Sequence, residues 1–431
     1  MVALILEGAC ANTNLRQGLD LSRRVGGFSI AERAVLAARR AGIDRSVLVG
    51  SAPPHEAASA RLSASGARVA FVDWGALRLL DLSDGALVIR NCVLVEPRAL
   101  AALLDCSNAG DRQTVLCAGG TDDDPDLVVV PPGDIGLLDG VTSESEFLTH
   151  VTSDLRRRQV SLGTFFCRRL GPDSDLARVE LEYIRHQNGG ASESFFTKRI
   201  RRFSVPLSRA LVRRGATPTQ VTLAGLVFAV AAAMAVSVGT YVASLAGALL
   251  YYMSMVLDCS DGEVARLSFG DSAFGAWLET IVDYVSYFLL LGGLVLGSRQ
   301  SESAGLYQDA AVVALAGSLI VVAVAGYLRH RVAGASPGEF DDASSAALAK
   351  ASPFHRFARW GRQWIKRSTV AHLVVALALV NQLSFLIYLW AFGAVVASGI
   401  ILGVEPFIVR RVKVAAFGQD LRLSRRPHVG K

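Results

Sequence analysis

"DCSDGEVARLSFGDSAFGAWLETIVD", residues 258–283, sets Asp258, Asp261, Glu263, Asp271, Glu279, Asp283 and Arg266 between flanks that are nearly free of charge. A charged side chain near a bilayer centre costs about 3 kcal/mol or more, so such groups face a wet cavity and act there. Asp258 and Asp261 are three residues apart and Ala265 is seven from the first, so on a helix they share a face. Gly275, Glu279 and Asp283 follow one another by four and share a face of the next helix. If the two segments are consecutive antiparallel spans, four carboxylates converge near one membrane surface.

Two readings of that convergence compete. In the first, buried ion pairs hold the helices together with Arg266 as counter-charge. One arginine cannot neutralise four acids in a medium of low dielectric, and unpaired buried charge is strongly unfavourable. In the second, Asp258, Asp261, Glu279 and Asp283 hold two divalent cations, Mg²⁺ or Mn²⁺. Hard carboxylate oxygens suit those ions, and no histidine or thiolate on the same face competes for a softer metal. Cys259 points roughly 100° from Asp258 and reads as packing. Glu263 lies off the carboxylate face and is expected to reach the cytoplasmic surface, and Asp271 falls in the connection, as a solvated loop residue or a helix cap.

Outward from this stretch the 431 residues divide by composition. Mean hydropathy is +0.38, yet up to about residue 190 charges are scattered, whereas Val221–Phe228, Ala243–Leu257, Tyr287–Leu296 and Ala310–Tyr327 are almost uncharged. Spans of about 20 apolar residues are expected at Thr219–Val238, Tyr241–Gly262, Phe274–Leu296, Ala310–Tyr327, Val370–Gln382 extended to Ser384, and Phe385–Val404. Lys198–Arg214, Arg329–Arg331, Arg356–Arg367 and Arg410–Arg411 fall on one side of six spans and Arg299 alone on the other, which places both termini and the carboxylates in the cytoplasm.

The basic stretch at 191–216 lacks the interleaved aromatics and the module of a nucleic-acid binder, so no nucleic-acid partner is expected. Before a span it reads as an amphipathic helix on anionic lipid. "SPFHRFARWGRQWIKR" (352–367) suits an interfacial helix or a polar cytoplasmic loop helix, and 412–431 is a basic cytoplasmic tail. The six cysteines show neither CxxC pairing nor regular spacing, which points to reduced thiols, and the apolar run at the amino terminus is too short for a signal peptide.

In residues 1–190 the apolar runs 2–6, 46–50, 68–72, 86–90, 114–117 and 126–130 alternate with helical patterns, as in a layered α/β domain with a largely parallel sheet. Ser29 and Glu32 have the spacing of a capping box and Gly42 supplies the stop of the clearest helix. The order "VALILEGACANTNLRQG…VGGFSIAERAVLAARRAGIDRSVLVG" resembles the sugar-phosphate nucleotidyltransferases. Their first loop wraps a triphosphate with closely spaced glycines, but here only Gly8 and Arg16 remain, and Asn91-Cys92 stand where that family has a magnesium-binding aspartate. A retained fold without transferase chemistry is expected.

For residues 217–411, "Asp258-x-x-Asp261-Gly262-x-x-Ala265-Arg266", then eight residues, then "Gly275-x-x-x-Glu279-x-x-x-Asp283" resembles the signature of the CDP-alcohol phosphotransferases, membrane enzymes of six transmembrane helices. Seven of eight fixed positions match, and the eighth has Glu279 where the family usually has aspartate. The flanks are similar to the branch that fuses a cytidylyltransferase domain to a di-inositol-phosphate-phosphate synthase, with Pro218-Thr219 where many relatives have Pro-Asn. The resemblance implies a CDP-linked alcohol donor, an acceptor hydroxyl, CMP as leaving group and a homodimer in the inner or plasma membrane. It implies metal binding by Asp258, Asp261, Glu279 and Asp283, with Asp283 also the general base. It further implies CDP contacts at Asp258, Asp261, Gly262, Ala265, Arg266 and Gly275. Two other classes stay open at this point: an intramembrane prenyltransferase, which would need a second acidic motif on a distant helix, and a non-catalytic membrane scaffold.

Overall fold

The apolar run Val2–Leu6 forms strand β1 with all five side chains buried, the pattern of a strand covered on both faces. In the computed structural model, residues 1–6, 24–50, 62–63, 66–90, 92–109, 115–119, 125–132, 141–153, 158–171, 174–188, 194–332, 367–399 and 402 are described. The loop from Gly8 to Arg16, Asn91, residues 352–366, Arg410–Arg411 and the tail 412–431 lie outside them. The chain divides into two units, Met1–Gln187 with Leu267–Phe269, and Asn188–Arg266 with Gly270–Lys431.

In the first unit a short hairpin, β2 (Arg24–Val25) and β3 (Phe28–Ser29), leads into helix α1 (Ile30–Arg40). Ser29 caps this helix, with both bonds of the capping box formed to Glu32, an arrangement worth about 1 kcal/mol. Gly42, at φ +96°, lets the chain turn off its end. Next come β4 (Arg45–Val49), β5 (Arg68–Val72), β6 (Ala86–Arg90), β7 (Val93–Val95) and helix α2 (Pro97–Ala109). They are followed by β8 (Leu116–Ala118), β9 (Leu127–Val130), α3 (Glu144–Ser153), β10 (Arg158–Val160), β11 (Cys167–Arg169) and α4 (Leu176–Asn188).

The main sheet runs β10-β8-β9-β6-β1-β4-β5. It is mixed: β1 pairs in parallel with β4 and β6, but β9 lies antiparallel between β6 and β8. An antiparallel strand inserted between parallel ones leaves no mark in local hydropathy, because β9 is as buried on both faces as its neighbours. The domain is therefore α/β as expected, with one reversed strand.

The second unit is helical: α5 (Phe195–Arg213), α6 (Pro218–Ser237), α7 (Tyr241–Ser268), α8 (Ala273–Gly297), α9 (Ala304–Val332), α10 (Arg367–Leu379) and α11 (Phe385–Gly399). Among the described residues four helices are long and apolar enough to cross a membrane: Pro218–Ser237, Tyr241–Ser268, Ala273–Gly297 and, within α9, Ala304–Val324. Helices α10 and α11 are apolar but shorter. Helices α6 and α8 approach backbone to backbone: a Cβ added at Gly293 would sit 2.6 Å from the Ala233 carbonyl oxygen. Small residues at such crossings permit the close contact that holds helices together in lipid. At the other end of α7, Phe269 takes a left-handed φ of 53° and the Gly270 N–H donates to the Ala265 carbonyl. That closing turn reverses the chain so that α8 returns beside α7.

Candidate metal and phosphotransfer site

Asp258 and Asp261 project from α7 and Glu279 from α8, and one ligand oxygen from each lies within 4.8 Å of the others. Asp261 is buried and its orientation is fixed twice. The Thr222 hydroxyl on α6 donates to its Oδ2 at 2.7 Å, and the Gly262 N–H donates to its Oδ1 at 2.6 Å. Glu279 opens to the surface.

Asp283 is not within that triplet. It is tied to it by Arg367, the first residue of α10, which donates to Asp258 Oδ1 at 2.7 Å and also to Asp283 Oδ1. The other guanidinium nitrogen reaches the Ser254 hydroxyl at 3.3 Å. The cation hydrogen-bonded to Asp258 and Asp283 is thus Arg367, while the charge of Arg266 acts on Glu279. Arg266 instead donates to the Asn188 amide oxygen at 2.7 Å, and its guanidinium lies over Gly262, where an added Cβ would meet Nη1 at 3.3 Å. Gly262, Ala265 and Arg266 are all half-buried. Gly275 sits in the first turn of α8, its N–H bonded to the capping Ser272 hydroxyl at 3.0 Å.

Glu263 corrects an expectation. Instead of reaching a surface it is fully buried and accepts from Asn188 Nδ2 at 3.0 Å, Arg201 at 2.8 Å, Ser204 at 2.9 Å and Ser208 at 2.7 Å. A carboxylate enters a helical core at tolerable cost only when paired and hydrogen-bonded in this way. Three of the partners come from α5, so the basic helix is fastened to α7 at this point. Asp271 is exposed in the connection, where Ser272 does the capping. Cys259 packs against the helical core.

Spacing on α7 and α8 revealed the acidic faces but missed Arg367 and Thr222. Arg367 read as one more cytoplasmic cation. Thr222, in the first turns of the first span, carried no signal beyond being a hydroxyl in an apolar run. The donor set fits a hard divalent cation: three convergent carboxylate oxygens with no nitrogen or sulfur ligand among them.

No family model matches the chain. It is 31% identical over 142 residues to the bifunctional IPC transferase and DIPP synthase of Archaeoglobus fulgidus, 33% of this chain and 26% of that one. It is 29% identical over 151 residues to the protein of the same name from Thermococcus kodakarensis, 34% of this chain and 32% of that one. To the phosphatidylinositol phosphate synthase of Mycobacterium marinum it is 31% identical over 131 residues, 30% of this chain and 53% of that one. The matches therefore span less than two thirds of each relative. These names agree with the resemblance read from the signature, a nucleotidyltransferase-like domain fused to a phosphotransferase of CDP-linked alcohols. Two solved structures are similar in part. The inositol-1-phosphate CTP transferase from T. maritima gives 12% identity over 44% of this chain and 97% of that one, with a TM-score of 0.34. A manganese complex of a Mycobacterium tuberculosis H37Rv protein gives 19% identity over 42% and 97%, with a TM-score of 0.28. Scores of this size carry no argument.

Proposed function

We propose that this chain is an integral membrane CDP-alcohol phosphotransferase, which moves a phospho-alcohol group from a CDP-linked donor to an acceptor hydroxyl and releases CMP. The observation that carries the reading is the convergence of Asp258, Asp261 and Glu279 from two consecutive apolar helices. In this reading those three carboxylates and Asp283 hold two divalent cations, Mg²⁺ or Mn²⁺. Bound there, the cations would supply charge neutralisation for a diphosphate and its leaving group.

The chain's own residues do the rest. Thr222 and the Gly262 N–H fix the orientation of the Asp261 carboxylate, which offers one oxygen to the cluster. Asp283 accepts the proton of the acceptor hydroxyl as its oxygen bonds to the phosphorus bearing the donor alcohol, and the bond from that phosphorus to CMP breaks. Arg367 ties Asp283 to Asp258 through one guanidinium nitrogen and so sets the orientation of both carboxylates. Gly262, Ala265 and Gly275 leave room for the nucleotide close to the backbone, and Arg266, steadied by Asn188, meets phosphate. The nucleotidyltransferase-like domain is retained as a fold without its transfer chemistry, the active site and both termini are cytoplasmic, and the protein works as a homodimer.

The test is CMP release by the full-length protein in lipid nanodiscs, with CDP-diacylglycerol and CDP-inositol as alternative donors. Asp283→Asn is expected to leave a folded protein whose rate falls by about 10²–10⁴-fold, and chelation should abolish the wild-type rate. Full activity of Asp283→Asn would return the site to the ion-pair reading. The Arg367 bridge between Asp258 and Asp283 favours that second reading, a membrane scaffold. Thermal melting separates the two, since a ligand that binds only the folded state raises its melting temperature. Mn²⁺ raises it for a metal site and leaves it unmoved for a scaffold.

A further inference from the structure

A half-open cavity of about 290 Å³ lies among α8, α9, α10 and α11 of the helical unit. It begins beside Asp283 on α8 and one turn from Arg367 on α10. On α8 its wall includes Tyr284 and Tyr287, the latter four residues beyond Asp283 and so on the same face. On α10 its wall starts at Val370, three residues beyond the Arg367 that holds Asp283. Gly275, assigned to the nucleotide, lies the other way: it precedes Asp283 by eight residues, about 12 Å along the helix. The cavity therefore lies on the side of Asp283 away from Gly275.

Its chemistry is equally one-sided. Among the described residues that line it none is charged. Apart from the tyrosines their polar groups are the Ser318 hydroxyl and the Trp390 indole N–H, which donates to it at 3.2 Å. A phosphorylated polyol would be held by fixed cations and forked hydrogen bonds, and an apolar space of this kind does not stay filled with water. Packing does not close it either. Helices α9 and α11 already touch where an added Cβ on Gly317 would come within 2.9 Å of Ala394 Cβ, whereas a Cβ added at Gly393, in the cavity wall, meets nothing within 4 Å. Its volume is at the lower end of sites that hold a small organic molecule.

We infer that this cavity receives the hydrocarbon part of the acceptor, so that the hydroxyl presented to Asp283 belongs to an apolar alcohol and not to a phosphorylated polyol. The inference rests on the transferase reading above and narrows its acceptor. The probe is decan-1-ol carrying a terminal diazirine, photo-crosslinked to the full-length protein in nanodiscs. Label is expected on the peptides containing Ser318–Val322 or Leu386–Ala397 and is competed by unlabelled decan-1-ol. Gly393→Leu, which fills the cavity, should lower it by about tenfold. Gly399→Leu, on the same helix but outside the wall, should not change it. CMP release should be faster with decan-1-ol than with inositol 1-phosphate as acceptor, and Gly393→Leu should slow the former. Label unchanged in Gly393→Leu, or a faster reaction with inositol 1-phosphate, overturns the inference. Displacement of the probe by CDP-diacylglycerol overturns it too, by assigning the cavity to a donor tail. Absence of CMP release in every arm, with the label still sensitive to Gly393→Leu, sinks the transferase reading and not the cavity's preference for hydrocarbon.

Discussion

Glu279 reaches the carboxylate cluster from α8 with one methylene more than an aspartate would have, and it is the most open of the three convergent acids. Glu279→Asp restores the side chain usual in the resembling family but withdraws the oxygens by about one bond length. Misplacement on the order of 1 Å costs up to about 10²-fold. CMP release at limiting Mn²⁺ is therefore expected to fall, and to recover in part as Mn²⁺ is raised, because the ligand chemistry is unchanged. Loss that no metal concentration relieves would show that Glu279 is not a ligand. In the α/β unit, burial pushes the Cys167 thiol from 9.0 up to about 12, with the nearby Asp126 carboxylate adding to the effect. A group whose proton is held more tightly in the folded state contributes stability below its unfolded pKa and loses it as pH rises through the folded one. The expected outcomes are slow alkylation of Cys167 by iodoacetamide at pH 8 in the folded protein and falling resistance to urea between about pH 9 and 12. Alkylation as fast as in urea-unfolded protein would contradict the burial argument.

At the scale of elements, a buried carboxylate on α7 gathers three side-chain donors from α5. Glu263 accepts from Arg201, Ser204 and Ser208, and through Asn188 it is linked to Arg266. Removing the acceptor leaves several buried donors without it, a loss of about 3–5 kcal/mol for a broken buried charge pair. Glu263→Ala is accordingly expected to melt at markedly lower temperature and to expose α5 to limited proteolysis. Glu263→Gln keeps a carbonyl acceptor and should be milder on stability while still lowering CMP release, since Asn188 steadies Arg266 from the same cluster. Equal proteolysis of Glu263→Ala and wild type would show that α5 is held by its apolar face alone.

At the scale of the whole molecule the membrane arrangement follows from lengths. Helices α6, α7, α8 and the first 21 residues of α9 each suffice to cross a bilayer, whereas the 13 residues of α10 rise only about 20 Å, short of a hydrocarbon core of about 30 Å. We propose that α10 and α11 complete a six-span arrangement as a pair joined at residues 380–384. Tags at residues 1, 345 and 431 are then expected in the cytoplasm and a tag near Ser303 on the opposite side, following the distribution of Lys and Arg. A tag at any of the first three positions read outside would break the six-span arrangement.

Local pattern alone made much of this legible. Strands at 68–72 and 86–90 coincide with their apolar runs, the capping box at Ser29 is formed, and the first three apolar helices begin and end within a few residues of their hydropathic segments, apart from the extension of α7 to Ser268. The acidic faces of α7 and α8 followed from three- and four-residue spacing, because helical periodicity is written in consecutive residues. Contacts between distant segments are not written there. Arg367 meets Asp258 across 109 residues and Thr222 meets Asp261 across 39. Glu263 is buried because α5 folds over it, and β9 is reversed because of the strands it joins. Which cation faces the carboxylates, and that the space beyond Asp283 is apolar, were decided by tertiary structure: both depend on which helices come side by side, and in an apolar medium packing and the pairing of buried charge select those neighbours, not the hydropathy that marks each helix.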